Sequence, residues 1–293
     1  MPQQQNIIAI VYDYDRTLSP RPMQEDVIFE RIGVEASKFW SMADELKGNK
    51  SYEDELAWIR LLLDNPSFRC LSNLDLEGMG RNLKFYPGVP EMFAELEVGL
   101  HSDKYLRHGV ALEHYIVTSG LKSVLAGSIL SQNVQAIFGC ELDEDEEGRV
   151  YWPKRIISHT AKTQYLFRIT KGLEYVDLSH DVNDHMPEPE RRIPFSNMLY
   201  IGDGPTDVPC FAVISSRGGK SLAVYDPSSK VSFATCMSLR EAQRVDEIAE
   251  ADYRQNTHLR RLMEHYVIQM ADRIVLQQEM EHERKVIQAP GHI

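Results

Sequence analysis

Two aspartates one residue apart, Asp13 and Asp15, stand where the apolar run Ile7-Ile8-Ala9-Ile10-Val11-Tyr12 stops. A pair of carboxylates can divide a nucleophilic role from an acid/base role. Three more sets follow in chain order: Thr118-Ser119-Gly120, with two hydroxyls and a glycine; Lys162; and Gly202-Asp203-Gly204-Pro205-Thr206-Asp207. Phosphoryl transfer through an aspartyl phosphate suits this collection. Asp13 would attack phosphorus, dividing one difficult displacement into two easier ones. Asp15 would protonate the leaving oxygen and then deprotonate water, its protonated form favoured by neighbouring carboxylates. Because both the transferred group and the site are anionic, a hard divalent cation is required. Magnesium fits, with Asp13, the backbone carbonyl of Asp15 and Asp203 as ligands and Asp207 as a further ligand or a support. Thr118, Ser119 and Gly120 at a strand end, with the backbone N–H groups of the turn that follows, would hold phosphate oxygens, and Lys162 would offset charge. Lys154 and Lys171 compete with Lys162 for that part.

These residues need elements that bring them together. The first run is nearly all apolar and rich in β-branched residues, as in a strand buried on both faces of a parallel sheet. Leu112–Gly120, which ends on two hydroxyls and a glycine, and Met198–Ile201, which ends on Gly202-Asp203, read as further strands, and Val134–Phe138 and Ser221–Tyr225 as two more, the latter the last of the sheet. Helical spacing over Val89–Leu106, Leu121–Leu130 and Ser158–Lys171 lies between them, and this alternation predicts right-handed crossovers and strand ends converging on one crevice. Glu141–Tyr151 reads as a hairpin. Between Arg21 and Phe85 the apolar residues keep helical spacing, with Asp75–Phe85 the last helix. The expected fold is therefore α/β: a Rossmann-like core over 1–20 and 86–232, an inserted helical cap over 21–85, and a helical extension over 233–293. In the extension, Leu259, Met263, Tyr266, Met270 and Ile274 mark one face for packing on the core or on a second copy in a homodimer. The cluster His180–His185 lies among prolines and charges and reads as a solvated loop rather than a metal site.

Composition narrows the partners. A formal net charge of -12 argues against nucleic acid or an anionic membrane as a partner. It leaves a small phosphorylated metabolite, held by local positive charge. No apolar run approaches membrane-spanning length and the N-terminus lacks a basic region, so the expected location is cytoplasmic. Cys70, Cys140, Cys210 and Cys236 are widely spaced, which indicates neither zinc nor a disulfide framework. The sequence contains no Gly-x-x-x-x-Gly-Lys-Ser/Thr loop of a P-loop enzyme.

The motifs resemble those of the haloacid dehalogenase (HAD) superfamily, and of its phosphoserine-phosphatase-like phosphatases in particular. Asp13, Asp15 and Thr17 match Asp-x-Asp-x-Thr after an apolar strand, Thr118 the strand-terminal Thr/Ser, Lys162 the lone Lys, and Gly202, Asp203 and Asp207 the pattern Gly-Asp-x-x-x-Asp. The resemblance implies a magnesium-dependent phosphohydrolase, with the helical block at the place of the family's type 1 cap. A phosphomutase or phosphotransferase using the same intermediate, or a non-catalytic phospholigand-binding protein, are the alternatives. Asp15 tells against dehalogenation, for which members of the superfamily lack that aspartate. Two departures stand out. Arg16 replaces a residue that is small in many relatives, and the cap shows no match to the serine-binding set.

Overall fold

The computed structural model describes residues 5–173 and 182–287. Seven strands form one sheet in the spatial order β4-β3-β2-β1-β5-β6-β7: β1 Ile7–Tyr12, β2 Ala111–Leu121, β3 Ala136–Glu144, β4 Val150–Arg155, β5 Met198–Gly202, β6 Lys220–Tyr225 and β7 Glu247–Glu250. All neighbours run parallel except the β3–β4 hairpin. The run Ile8–Tyr12 is wholly buried because β1 is central, with Ile10 beside His114 of β2 and Leu199 of β5. From β1 the chain moves outward through β2 and β3, then returns to the other side of β1 and moves outward through β5, β6 and β7. The order therefore reverses between β1 and β5, and that switch point is where open α/β sheets form a ligand crevice.

A helical segment occupies the stretch after β1: α1 Phe29–Ile32, preceded by a π-helical turn at Gln24–Ile28, then α2 Ala36–Lys50, α3 Asp54–Asp64, α4 Pro66–Arg69 and α5 Asn73–Gly80. The last is shorter than the expected helix to Phe85. It opens on a capping box in which Ser72 and Asp75 exchange hydrogen bonds. Two expected crossover helices are each broken. Val89–Leu106 divides into α6 Met92–Val98 and α7 Asp103–Arg107, because Leu100 turns into the core and Ser102 is extended. Leu121–Leu130 becomes α8 Lys122–Ala126 and a short 3-10 turn, with the break at Gly127, where a Cβ would lie 1.8 Å from the Glu77 carbonyl oxygen. α9 Lys162–Lys171 and α10 Val208–Ser216 flank β5 in the chain.

Ser221–Tyr225 is not the last strand. After α11 Lys230–Glu241, Glu247–Glu250 adds β7 to the sheet before the long α12 His258–Ile287. On α12, Leu259, Met263, Tyr266, Met270 and Ile274 are all buried. The loop before α12 reaches back to the centre: buried Tyr253 donates its hydroxyl to the Thr17 carbonyl at 2.8 Å, bracing the turn that follows β1. No helix among the described residues is long and apolar enough to cross a membrane. Of the cluster His180–His185, residues 180 and 181 lie outside the described residues.

Candidate active site

The turn after β1 is pinned at both ends. Asp13 donates its N–H to the Ile201 carbonyl of β5 at 2.9 Å, and the Tyr14 carbonyl accepts from the N–H groups of Thr17, Leu18 and Ser19. Asp15 Oδ1 accepts the Met23 N–H at 2.8 Å, which ties this carboxylate to the start of the helical segment. At the end of β5, Gly202 leaves room that the Asp207 carboxylate fills, since a Cβ there would lie 2.3 Å from Asp207 Oδ2.

Lys162 joins the two strand ends. Its Nζ lies 2.8 Å from Asp13 Oδ1 and 2.9 Å from Asp207 Oδ1, and its side chain is 2% exposed. Asp207 is fully buried and also accepts from Tyr200 Oη at 2.7 Å and from the Asp203 N–H at 3.1 Å. With so many donors committed to it, Asp207 is built to support its neighbours. Asp13, Asp203 and Asp207 each offer a carboxylate oxygen within 4.8 Å of the others. The competitor Lys171 is occupied elsewhere, donating to the carbonyls of Val182 and Asp184.

Thr118, Ser119 and Gly120 lie at the end of β2, as their place at the close of the apolar run predicts, in a stretch where pairing with β3 loses register between Val117 and Leu121. Thr118 Oγ1 accepts the Gly120 N–H at 2.9 Å, which leaves its own proton to donate. Among the described residues, Ser119 Oγ is buried without a hydrogen-bond partner. Gly120 packs under Met23, whose Cε would lie 2.3 Å from a Cβ at that position.

The electrostatics follow from an excess of buried carboxylates. Burial pushes the Asp13 carboxyl up to about 6, Lys162 opposing and Asp207 adding to the rise. Burial and the Asp13 charge push Asp15 up to about 7. Asp203 is raised well above the ordinary range by burial and by the charges of Asp207 and Asp13. Lys162 goes the other way: burial would lower it, but Asp13 and Asp207 hold it above an ordinary lysine, so it stays charged. One ammonium among four carboxylates leaves uncompensated negative charge in a partly dry site, and an all-oxygen donor set of this kind fits a hard cation such as Mg2+.

These groups form the floor of a cavity of about 350 Å3 whose opposite wall comes from the helical segment, including Gln24, Trp40, Lys47, Glu55 and Trp58. His159 bridges the two sides, its Nε2 3.0 Å from Asp54 and its Nδ1 3.1 Å from Glu55. Sequence reasoning passed over these residues as packing or as surface. One signal was available: Glu55 lies in register with Ile59 and Leu62, so a carboxylate occupies the apolar stripe of α3, and it is 2% exposed.

No family model matches the chain. An uncharacterized protein of Borreliella burgdorferi is 29% identical over an alignment of 287 residues, which takes in 88% of this chain and 96% of that one. Among solved structures, a phospho-aspartyl intermediate analogue of phosphoserine phosphatase superposes with a TM-score of 0.54 at 15% identity, covering 89% of this chain and 99% of that one. A substrate-bound phosphoserine phosphatase gives 0.54 at 14% identity, covering 88% and 97%. A HAD family hydrolase of Salmonella enterica serovar Typhi gives 0.54 at 14% identity over 83% of this chain, which spans only 66% of that protein's length. The fold of this chain is that of the HAD hydrolases, of the phosphoserine-phosphatase-like kind.

Proposed function

We propose that this protein is a magnesium-dependent phosphohydrolase that cleaves a small phosphomonoester by way of an aspartyl phosphate on Asp13. The observation that carries the reading is the shared Lys162, which holds Asp13 and Asp207 at 2.8 and 2.9 Å beside Asp203 and so assembles the ends of β1 and β5 into one centre. Asp13 attacks phosphorus. The ester P–O bond breaks as the P–Oδ bond forms, and Asp15 delivers its proton to the departing alkoxide. Water then attacks the phosphorus, its proton returns to Asp15, and inorganic phosphate leaves as the Asp13 carboxylate is restored. An Asp15 carboxyl pushed up to about 7 is half protonated near neutrality, as a group that serves as acid and then as base should be. Lys162 keeps Asp13 oriented and offsets charge. Thr118 donates to a phosphoryl oxygen and the orphaned Ser119 hydroxyl supplies a further donor, whereas the Gly120 N–H is taken by Thr118 Oγ1.

Asp13, Asp203 and the Asp15 carbonyl would hold the magnesium ion, with Asp207 behind them. When bound it supplies positive charge that lets an anionic ester approach these carboxylates. Residues 21–85 act as a cap, excluding water from the cavity they wall.

A panel of phosphomonoesters, assayed for released phosphate with and without Mg2+, tests the reading. Turnover that needs Mg2+ and falls at least about 1,000-fold in Asp13→Asn, in keeping with removal of a nucleophile, is the expected result. Turnover that survives Asp13→Asn overturns it, as does phosphate appearing only on an added acceptor alcohol.

A further inference from the structure

Arg16 has a backbone its side chain does not favour. Its φ is 60°, in the left-handed region where a Cβ crowds the following carbonyl and which glycine enters at no such cost. The turn after β1 dictates this conformation, because the Tyr14 carbonyl gathers the N–H groups of Thr17, Leu18 and Ser19 around it. A glycine would satisfy the turn better. Strain of this kind persists where the side chain itself is wanted.

The side chain stands at the cavity wall, beside Asp13, Asp15 and Asp203. Its charge is felt at Asp15 and Asp203, yet among the described residues its guanidinium has no hydrogen bond or ion pair. The lysines of the cavity are committed, Lys162 to Asp13 and Asp207 and Lys47 to Asp44 and Asp54, and the His159 imidazole is engaged through Nε2 with Asp54. Arg16 is exposed where Lys162 is buried, so it lies outside the position at which Lys162 serves the reacting phosphoryl group. A planar fork of unengaged N–H donors matches a carboxylate or a phosphate, which it can bind through two parallel hydrogen bonds.

We propose that Arg16 determines specificity by binding a second anionic group, a carboxylate or a second phosphate, on the alcohol portion of the phosphomonoester. This inference deepens the phosphohydrolase reading and rests on it for the placement of the reacting phosphate at Asp13. It assigns the substrate class: small phosphomonoesters with at least one further negative charge within an arginine's reach of the ester. It also gives the chain a reason to keep a strained arginine where glycine fits. In a protein of net charge -12, an unpaired cation at the mouth of an acidic cavity also draws such dianions inward.

Three probes of similar size separate the possibilities: glycerol 3-phosphate, whose alcohol is neutral; 3-phosphoglycerate, which adds a carboxylate; and propane-1,3-diol bisphosphate, which adds a phosphate. Affinities are measured by calorimetry with Mg2+ present in Asp13→Asn, which binds without turnover, and in the same background with Arg16→Gly or Arg16→Lys. Arg16→Gly should weaken one or both doubly anionic probes by about 10- to 100-fold, the span of a charge-assisted hydrogen-bonded pair, and glycerol 3-phosphate by less than about threefold. Whichever of the two loses more names the second anion. Arg16→Lys should restore part of the loss, keeping the charge without the fork. Equal weakening of all three probes would place Arg16 on the reacting phosphate and overturn the proposal, as would no preference for either doubly anionic probe with Arg16 present. Binding that follows the expected pattern, in a wild-type protein that hydrolyses none of the three esters or any of the wider panel, would instead count against the phosphohydrolase reading and leave the assignment of Arg16 standing.

Discussion

Replacing Lys162 by Met keeps the length and apolar stem of the side chain and removes only its charge. In the wild-type protein that charge lies 2.8 Å from Asp13 and 2.9 Å from Asp207, in a position 2% exposed. Its removal leaves two buried carboxylates facing each other and Asp203 with no counter-charge. Breaking a buried pair by deleting one partner costs about 3–5 kcal/mol, chiefly for the charge left behind. Lys122 provides the control. It forms an ion pair with Glu141 at 3.6 Å, but its side chain is 42% exposed, and such pairs are worth about 0–1 kcal/mol. In urea unfolding followed by circular dichroism, with chelator present, Lys162→Met should lose about 3–5 kcal/mol and Lys122→Met less than about 1 kcal/mol. In thermal scans the first corresponds to a fall of roughly 10 °C for a chain of this size. Mg2+ should narrow the Lys162→Met deficit, because a cation among the carboxylates takes over part of the ammonium's compensation. On the proposed function, phosphatase activity should fall by about 100- to 1,000-fold even where Mg2+ restores stability, as when a preorganised donor is removed from the reacting group. Equal losses in the two lysine variants, or a Lys162→Met protein as stable as wild type in chelator, would refute the argument that the strand ends are assembled around a buried charge.

The remaining predictions concern packing and pH. His114 is 3% exposed, its Nδ1 lies 3.1 Å from Tyr12 Oη, and burial pushes its imidazole down to about 3, with Arg260 adding to the fall. Between pH 6.5 and 3 the unfolded chain binds a proton that the folded chain refuses, so stability must fall as pH drops through that window, by up to about 4–5 kcal/mol at 1.36 kcal/mol per pH unit. The difference in unfolding free energy between wild type and His114→Gln, followed from pH 7 to pH 4, should shift steadily in favour of the variant; parallel curves would count against a buried neutral imidazole. Gly127→Ala should cost about 1–3 kcal/mol or more, because its Cβ meets the backbone oxygen of Glu77 at 1.8 Å and must push α5 from α8. Gly48→Ala, in α2 with nothing within 4 Å of the new Cβ, should instead stabilise by up to about 1 kcal/mol. Matching urea midpoints for these two variants would contradict the packing described.

Much of this arrangement was legible because its residues are tied to strand ends. A central parallel strand must be apolar on both faces, so the point where β1 turns to Asp13 and Asp15, or β5 to Asp203, marks the crevice edge in the sequence itself. Lys162 was harder to choose over Lys154 and Lys171, since helix periodicity does not separate a lysine that faces a carboxylate from one that faces water. β7 was missed for a different reason. Four residues, Glu247-Ile248-Ala249-Glu250, are too short to show a period, and only their pairing with β6 makes them a strand. Tyr253 and Thr17 are 236 residues apart in sequence, and no local pattern could announce their hydrogen bond. The far wall of the cavity was the least legible part. Trp40, Glu55 and Trp58 sit on helices whose apolar faces also serve ordinary packing, and the helical pattern does not show which residues meet a cleft.

This division of legibility has a physical basis. On the proposed function, attack on phosphorus needs a nucleophile, an acid and a cation site at fixed separations, which sheet ends and the helix start at Lys162 would supply rigidly from positions close to the backbone. Arg16 shows how little freedom remains there: an arginine at this position must accept the left-handed backbone that the turn after β1 demands. Recognition of the alcohol portion carries no such constraint. It can be built on any helix face opposite the floor, through residues such as Gln24 and Glu55 whose spacing is set by helix packing. On that function the reaction class would be written in short motifs, and specificity distributed over the helical segment that lines the cavity. Arg16 is the proposed exception, a specificity residue inside the first motif, and its left-handed backbone is the feature that singles it out.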